Sequence, residues 1–212
     1  MKKMLNLLTK LLILLFYIFT WSMVENNSNN LNKGLMYFYL LLFVASLVSD
    51  RYFYSGQKSQ DNKKYEITSW LIYITWFCSL IVPLLEHVYF KRENIFLTII
   101  GAVLVVTGIA IRGIGIKTLG KYFSRDVETW DNHVIVKTGI YKYIRHPAYA
   151  GNIMQLIGFP LVLNSYFCLI LSFITIACYM WRIIVEEKFL SSKIPEYKDY
   201  MKETYRIIPK VW

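Results

Sequence analysis

Apolar residues along this chain gather in long runs, and the polar and charged residues fall between them. The runs cover 4–24, 34–49, 67–85, 95–116, 147–163 and 166–185. They are continuous rather than one-sided, so they predict membrane spans and not the amphipathic stripe of a soluble helix. The expected fold is all-α: a polytopic integral membrane protein with five or six transmembrane helices. Pro83 is expected to kink or end the third span. Only Asn164-Ser165 separates the last two runs, which therefore form a C-terminal helical hairpin. The stretch 117–145 is mixed, polar and aromatic, and too charged to cross a bilayer. The first run follows Lys2-Lys3 and reads as a retained span rather than a signal peptide, because no small-residue cleavage site follows it.

Composition supports this pattern. The 212 residues are 56% hydrophobic, with a mean hydropathy of +0.38. A soluble domain of that length has too little interior to hide so much apolar surface. The formal net charge of +10 falls in the loops. Lys2 and Lys3, then Arg51, Lys58, Lys63 and Lys64, then Lys117, Lys121, Arg125, Lys137, Lys142 and Arg145 alternate with loops carrying only Lys33, Lys91 and Arg92. This asymmetry places both termini, the long loop and the tail on the cytoplasmic side. The charge then serves orientation and contact with anionic headgroups, and nucleic acid is not an expected partner. Cys78, Cys168 and Cys178 lie in apolar runs, while His87 and His133 are isolated, so no metal site is expected.

Candidate chemistry concentrates in 138–152. Gly139 permits a tight turn, and Pro147 suits the first position of a helix. The amides opening that helix, with Arg145 and His146 beside them, make an anion-binding corner at the membrane surface. The same residues also read as a basic, aromatic cluster snorkelling at a span entrance. Gly151, one turn in, allows a close approach to the backbone. Arg182 and Glu186 are four apart and share a helix face, with Glu187 next in sequence. Ionisable residues near membrane depth are functional candidates. In the tail, the spacing of Tyr197, Tyr200 and Met201 predicts an amphipathic helix on the membrane with its aromatics as interfacial anchors. Arg206 is a candidate anion ligand or headgroup contact. Gly113-Ile114-Gly115 with Gly120-Lys121 follows an apolar span rather than a strand, so these glycines are expected to serve packing or a turn.

Taken in order, Leu119 to Ser124, His133 to Gly139, Tyr141 to Gly151, Glu186-Glu187 and Tyr197 to Pro209 resemble the isoprenylcysteine carboxyl methyltransferase family. The resemblance divides the chain into N-terminal transmembrane helices, 1–116, and a catalytic region, 117–212. It implies an integral-membrane methyltransferase that uses S-adenosylmethionine in a cytoplasmic pocket, while a lipophilic or prenylated acceptor enters from the bilayer. Gly139, Ile140, Tyr141, Arg145, His146 and Tyr149 would line the cofactor pocket. Gly151, Asn152, Ile153 and Met154 would form its helix wall, and Glu186 would hold polar groups of the cofactor. Thr138 stands where the family often has His. Val185 stands where it often has a basic residue, leaving Arg182, with Arg206, to orient an acceptor carboxylate. An amine acceptor, as in a phospholipid N-methyltransferase, would need a base, for which Glu187 is the obvious group. The ending Tyr205 to Pro209 also resembles NADPH-dependent membrane sterol and steroid reductases. Pro147-Ala148-Tyr149 and Asn152 depart from their pattern and favour methyl transfer.

Overall fold

The computed structural model describes residues 33–53, 66–124 and 134–211, with scattered helical positions between 15 and 26. Most of the expected first span, together with His133, lies outside the described residues. The described chain is helical throughout: α1 (Lys33–Phe53), α2 (Glu66–Phe90), α3 (Ile95–Leu119), α4 (Pro147–Val162), α5 (Cys168–Lys193) and α6 (Tyr197–Glu203), with 3-10 turns at Gly120–Tyr122 and Gly139–Lys142.

Among the described residues, four helices are long and apolar enough to cross a membrane: Lys33–Phe53, Ser69–Phe90, Ile95–Tyr122 and Cys168–Lys193. The run expected at 147–163 forms a helix of 16 residues. At 1.5 Å per residue that is about 24 Å, short of a hydrocarbon core of about 30 Å. Instead of facing lipid, α4 is sunk between α3 and α5, with Leu156, Phe159 and Val162 at or below 1% exposure. Pro83 does not end the third span, since α2 runs through it to Phe90. The last helix also overruns its apolar stretch and carries Glu186 and Glu187 within it.

Close contact between α3 and α4 follows from glycine on both sides. A Cβ placed on Gly108 would meet the Gly151 carbonyl at 2.6 Å, and one on Gly101 would meet the Gly158 carbonyl at 2.7 Å. Gly113 accommodates Phe53 of α1, and Gly115 accommodates Pro147. The paired glycines thus serve helix packing, as their place in an apolar helix suggested.

Polar side chains close the opposite end of the bundle. Glu86 accepts hydrogen bonds from the Phe167 and Cys168 amides, at 3.1 and 2.9 Å, and so caps α5. His87 donates to the Leu163 carbonyl at 2.7 Å, and Ser165 donates to that of Pro83 at 2.7 Å. The bonds from Glu86 and His87 satisfy backbone groups freed at the hairpin turn, where no water from the bilayer core would do so, and Ser165 ties the turn to α2. They hold α4 and α5 as a rigid pair whose other end carries the candidate site.

Candidate functional site

At that other end the loop and the tail are sewn together by backbone. Ile144 and Tyr205 form an isolated parallel bridge. The Arg145 amide donates to the Tyr205 carbonyl at 2.8 Å, the His146 amide to that of Arg206 at 3.0 Å, and the Tyr205 amide to that of Tyr143 at 3.0 Å. His146 then caps α4, with Pro147 in its first turn. The pairing places the Arg-His-Pro element beside Arg206, although the two are distant in sequence.

Glu187 is the centre of this junction. Its side chain is 3% exposed and meets Arg145 Nε at 2.7 Å, His146 Nε2 at 3.3 Å and Arg206 Nε at 2.8 Å. Arg145 also donates through Nη1 to the carbonyls of Met201 and Thr204. A buried carboxylate survives at such a place only when its charge is matched and its oxygens are bonded, and here both conditions hold. Since both oxygens are committed, Glu187 is poorly placed to take a proton from an amine.

Glu186 has a different environment. It is half-buried and accepts a hydrogen bond from the Tyr149 hydroxyl at 2.7 Å. Tyr141 and Tyr197 also stand in its field. Burial first, and the Glu186 carboxylate second, push both of their hydroxyls well above the ordinary tyrosine range. The result is a carboxylate within a ring of aromatics, floored by the 3-10 turn that Gly139 opens at φ +57°. Tyr200 anchors this turn by donating to the Tyr141 carbonyl at 2.7 Å, and burial raises its hydroxyl to about 12. His146 stacks on Tyr149 with centroids 5.6 Å apart.

The model of the isoprenylcysteine carboxyl methyltransferase (ICMT) family matches residues 99–192. The chain is 36% identical over 128 residues to a protein-S-isoprenylcysteine O-methyltransferase of Saccharomyces cerevisiae, covering 57% of this chain and 54% of that protein. It is 32% identical over 116 residues to the one of Dictyostelium discoideum, covering 53% and 49%. Among solved structures it resembles the eukaryotic intramembrane Ras methyltransferase ICMT, with a TM-score of 0.50 at 26% identity, covering 84% of this chain and 66% of that one. Over residues 99–192, somewhat less than half of its length, the chain resembles the isoprenylcysteine carboxyl methyltransferase family. It spans about half the length of the yeast and Dictyostelium relatives.

In this integral, multi-pass membrane protein the matched segment covers α3 to α5 and both glutamates but stops before α6 and the tail that complete the Glu187 junction. The structure gathers Tyr141, Arg145, His146, Tyr149, Glu186, Glu187 and Arg206 at one end. Ile140 packs with Ile144, Ile153 and Ile183 behind the turn. Gly151 and Met154 face α3 instead, because the group that approaches Gly151 is the backbone at Gly108. Asn152 is buried and donates to the Tyr179 hydroxyl at 2.8 Å. Arg182 is 2% exposed, donates to Ser69 of α2 at 2.8 Å, and is a charged neighbour of Tyr149. Two aromatics of the tail turn inward, which corrects their expected role as interfacial anchors: Tyr197 and Tyr200 are 6% and 3% exposed, while Tyr205 is 43% exposed. Their spacing is legible, but which side it faces depends on how the tail packs against the loop, where Tyr200 donates to the Tyr141 carbonyl. Thr204, buried against Arg145, carried no signal in the sequence.

Proposed function

We propose that this chain is a methyltransferase that carries a methyl group from S-adenosylmethionine to the carboxylate of an isoprenylcysteine-like lipid at the cytoplasmic face of the membrane. The observation that carries the reading is the division of labour between adjacent glutamates: Glu187 is locked by cations, while Glu186 lies half-buried among Tyr141, Tyr149 and Tyr197. An amphiphilic cofactor with an aromatic base, hydroxyls and a positive charge fits such a lining, since aromatic faces take a flat ring or a cation and a carboxylate accepts from hydroxyl or ammonium donors. The match to the family model over 99–192 and the names of the relatives support the same chemistry.

When bound, the cofactor supplies a sulfonium methyl already activated for transfer. A carboxylate oxygen takes that methyl without giving up a proton, so the protein needs no base and works by alignment and exclusion of water. Arg206 is the most open of the arginines around Glu187, with 29% of its side chain exposed, and would orient the acceptor carboxylate. Arg182 is more deeply buried, at 2% exposure, and donates to Ser69 of α2. Arg145 is 6% exposed and bonded to Glu187, so its role is to hold the pocket together. Methylation of a phospholipid amine is less favoured, because the carboxylate it would use as base is engaged on both oxygens.

Calorimetry on the purified protein is expected to show binding of S-adenosylhomocysteine and none of NADPH, and the reverse would overturn the reading. Labelled methyl should pass to a prenylated cysteine analogue in preference to phospholipids. Glu186→Gln keeps an oxygen for Tyr149 but removes the charge. It should weaken cofactor binding by about tenfold or more, a loss of about 1.4 kcal/mol, while leaving the melting temperature unchanged. Unchanged affinity would show that the pocket lies elsewhere.

A further inference from the structure

A second set of charges lies inside the apolar helices and outside the Glu187 junction. Arg112 of α3 holds Asp50 of α1 with two bonds, Nε to Oδ1 at 2.5 Å and Nη2 to Oδ2 at 2.9 Å. Their side chains are 11% and 28% exposed. The remaining arm, Nη1, crosses to α4 and donates to the Ala148 carbonyl at 3.3 Å. Ala148 lies between Pro147 and Tyr149, in the first turn of the helix that presents the site. The crossing depends on Gly151, where a Cβ would stand 2.8 Å from the Cβ of Arg112. Tyr149 and Tyr179 stand within the field of the guanidinium.

The tie to α1 is repeated along one face. Ser46, one turn before Asp50, donates to Gln155 of α4 at 2.6 Å, and Gln155 donates to the Gly151 carbonyl at 3.3 Å. Phe53, one turn after, fills the space at Gly113. Positions 46, 50 and 53 share a helix face, so α1 grips α3 and α4 along the end that carries the site.

Stability alone does not account for a charged pair here. Taking two charges out of water is costly, and a well-packed apolar pair of similar volume would serve a purely structural purpose as well or better. An ionisable group at membrane depth calls for a function. What an apolar pair cannot do is aim a planar donor, fixed in its plane by a carboxylate, at one particular carbonyl.

We propose that Asp50 and Arg112 are positioning residues. Asp50 sets the guanidinium plane, and Arg112 pins the first turn of α4 so that Tyr149 and His146 face Glu186 and Glu187. Asp50, on α1, lies outside the segment matched by the family model, 99–192, whereas Arg112 lies within it. It rests on the proposed function only for the choice of ligand in one of its readouts.

The test uses the full chain in lipid nanodiscs as wild type, Asp50→Asn, Asp50→Glu and the double variant Asp50→Leu/Arg112→Met. Melting temperature, amide hydrogen exchange across 145–151 and calorimetric affinity for S-adenosylhomocysteine are measured. The double variant is expected to melt at or above wild type, yet to exchange about tenfold faster across 145–151 and to bind about tenfold more weakly. Asp50→Asn should show the same two losses, and Asp50→Glu should recover a good part of both. A double variant with wild-type exchange and affinity would reduce the pair to a structural contact and overturn the proposal. If the double variant fails to fold, Asp50→Asn and Asp50→Glu decide, and equal behaviour of the two also overturns it. A wild type that binds no S-adenosylhomocysteine would end the methyltransferase reading, while the exchange rates would still decide the role of the pair.

Discussion

Glu187→Gln is expected to destabilise the folded protein by about 3–5 kcal/mol and to loosen the C-terminal tail, whereas Glu186→Gln, one residue away, leaves stability within about 0.5 kcal/mol of wild type. The difference lies in what each carboxylate faces. Glutamine at 187 still offers one oxygen, but it leaves Arg145, with 6% of its side chain exposed, without a counter-charge in a place water barely reaches. Arg206 loses its bond to the carboxylate too, and with it one of the ties from tail to helix. The backbone bonds from Arg145, His146 and Tyr205 remain, so the tail should loosen rather than detach outright. Thermal melting in detergent and limited proteolysis after α6 would read the two effects separately. Equal losses for both variants would mean that the carboxylates share one environment and that their proposed division of labour is wrong.

Gly151→Ala is the second large effect expected, and it acts through backbone. The new Cβ would stand 2.5 Å from the Gly108 carbonyl and 2.8 Å from the Arg112 amide nitrogen. Neither is the loose end of a side chain, so α3 and α4 must separate. Overpacking of this kind costs about 1–3 kcal/mol, and rigid neighbours place it at the upper end. Because Arg112 crosses at the same point, parting the helices also weakens its hold on Ala148. Gly151→Ala should therefore lose ligand affinity as well as stability. Gly108→Ala presses on the same contact from the other side, at 2.6 Å from the Gly151 carbonyl. The double variant should cost less than the two singles added, since helices parted once admit the second methyl group. Strict additivity in melting experiments, or a Gly151→Ala protein as stable as wild type, would contradict the close crossing.

The residues of the site carried unequal signals. Arg145, His146 and Pro147 stood out because a basic pair before a helix-starting proline has a chemical reading at a membrane surface. Glu186 and Glu187 stood out as charges at the end of an apolar run, yet nothing in their order told which one would be locked. Arg112 carries a signal of its own, as an arginine inside an apolar run, but nothing in the sequence pairs it with Asp50. Its carboxylate lay in another span, and only the packing of α1 against α3 joined them.

What the sequence by itself determined was the medium and the menu: long apolar runs with charges between them dictate membrane helices, the loop charges suggest an orientation, and the turn, cap and acid pair name the chemistry. What only the tertiary structure decided was the use made of each polar group. The Ile144–Tyr205 bridge brought the tail onto the Arg-His-Pro element, turned Tyr197 and Tyr200 inward, gave Glu187 to Arg145, His146 and Arg206, and left Glu186 among the tyrosines. The physical reason is that a run of apolar residues is read locally, by its preference for lipid over water. Whether a charge is matched depends on partners that are far apart in the chain and meet only when the helices pack.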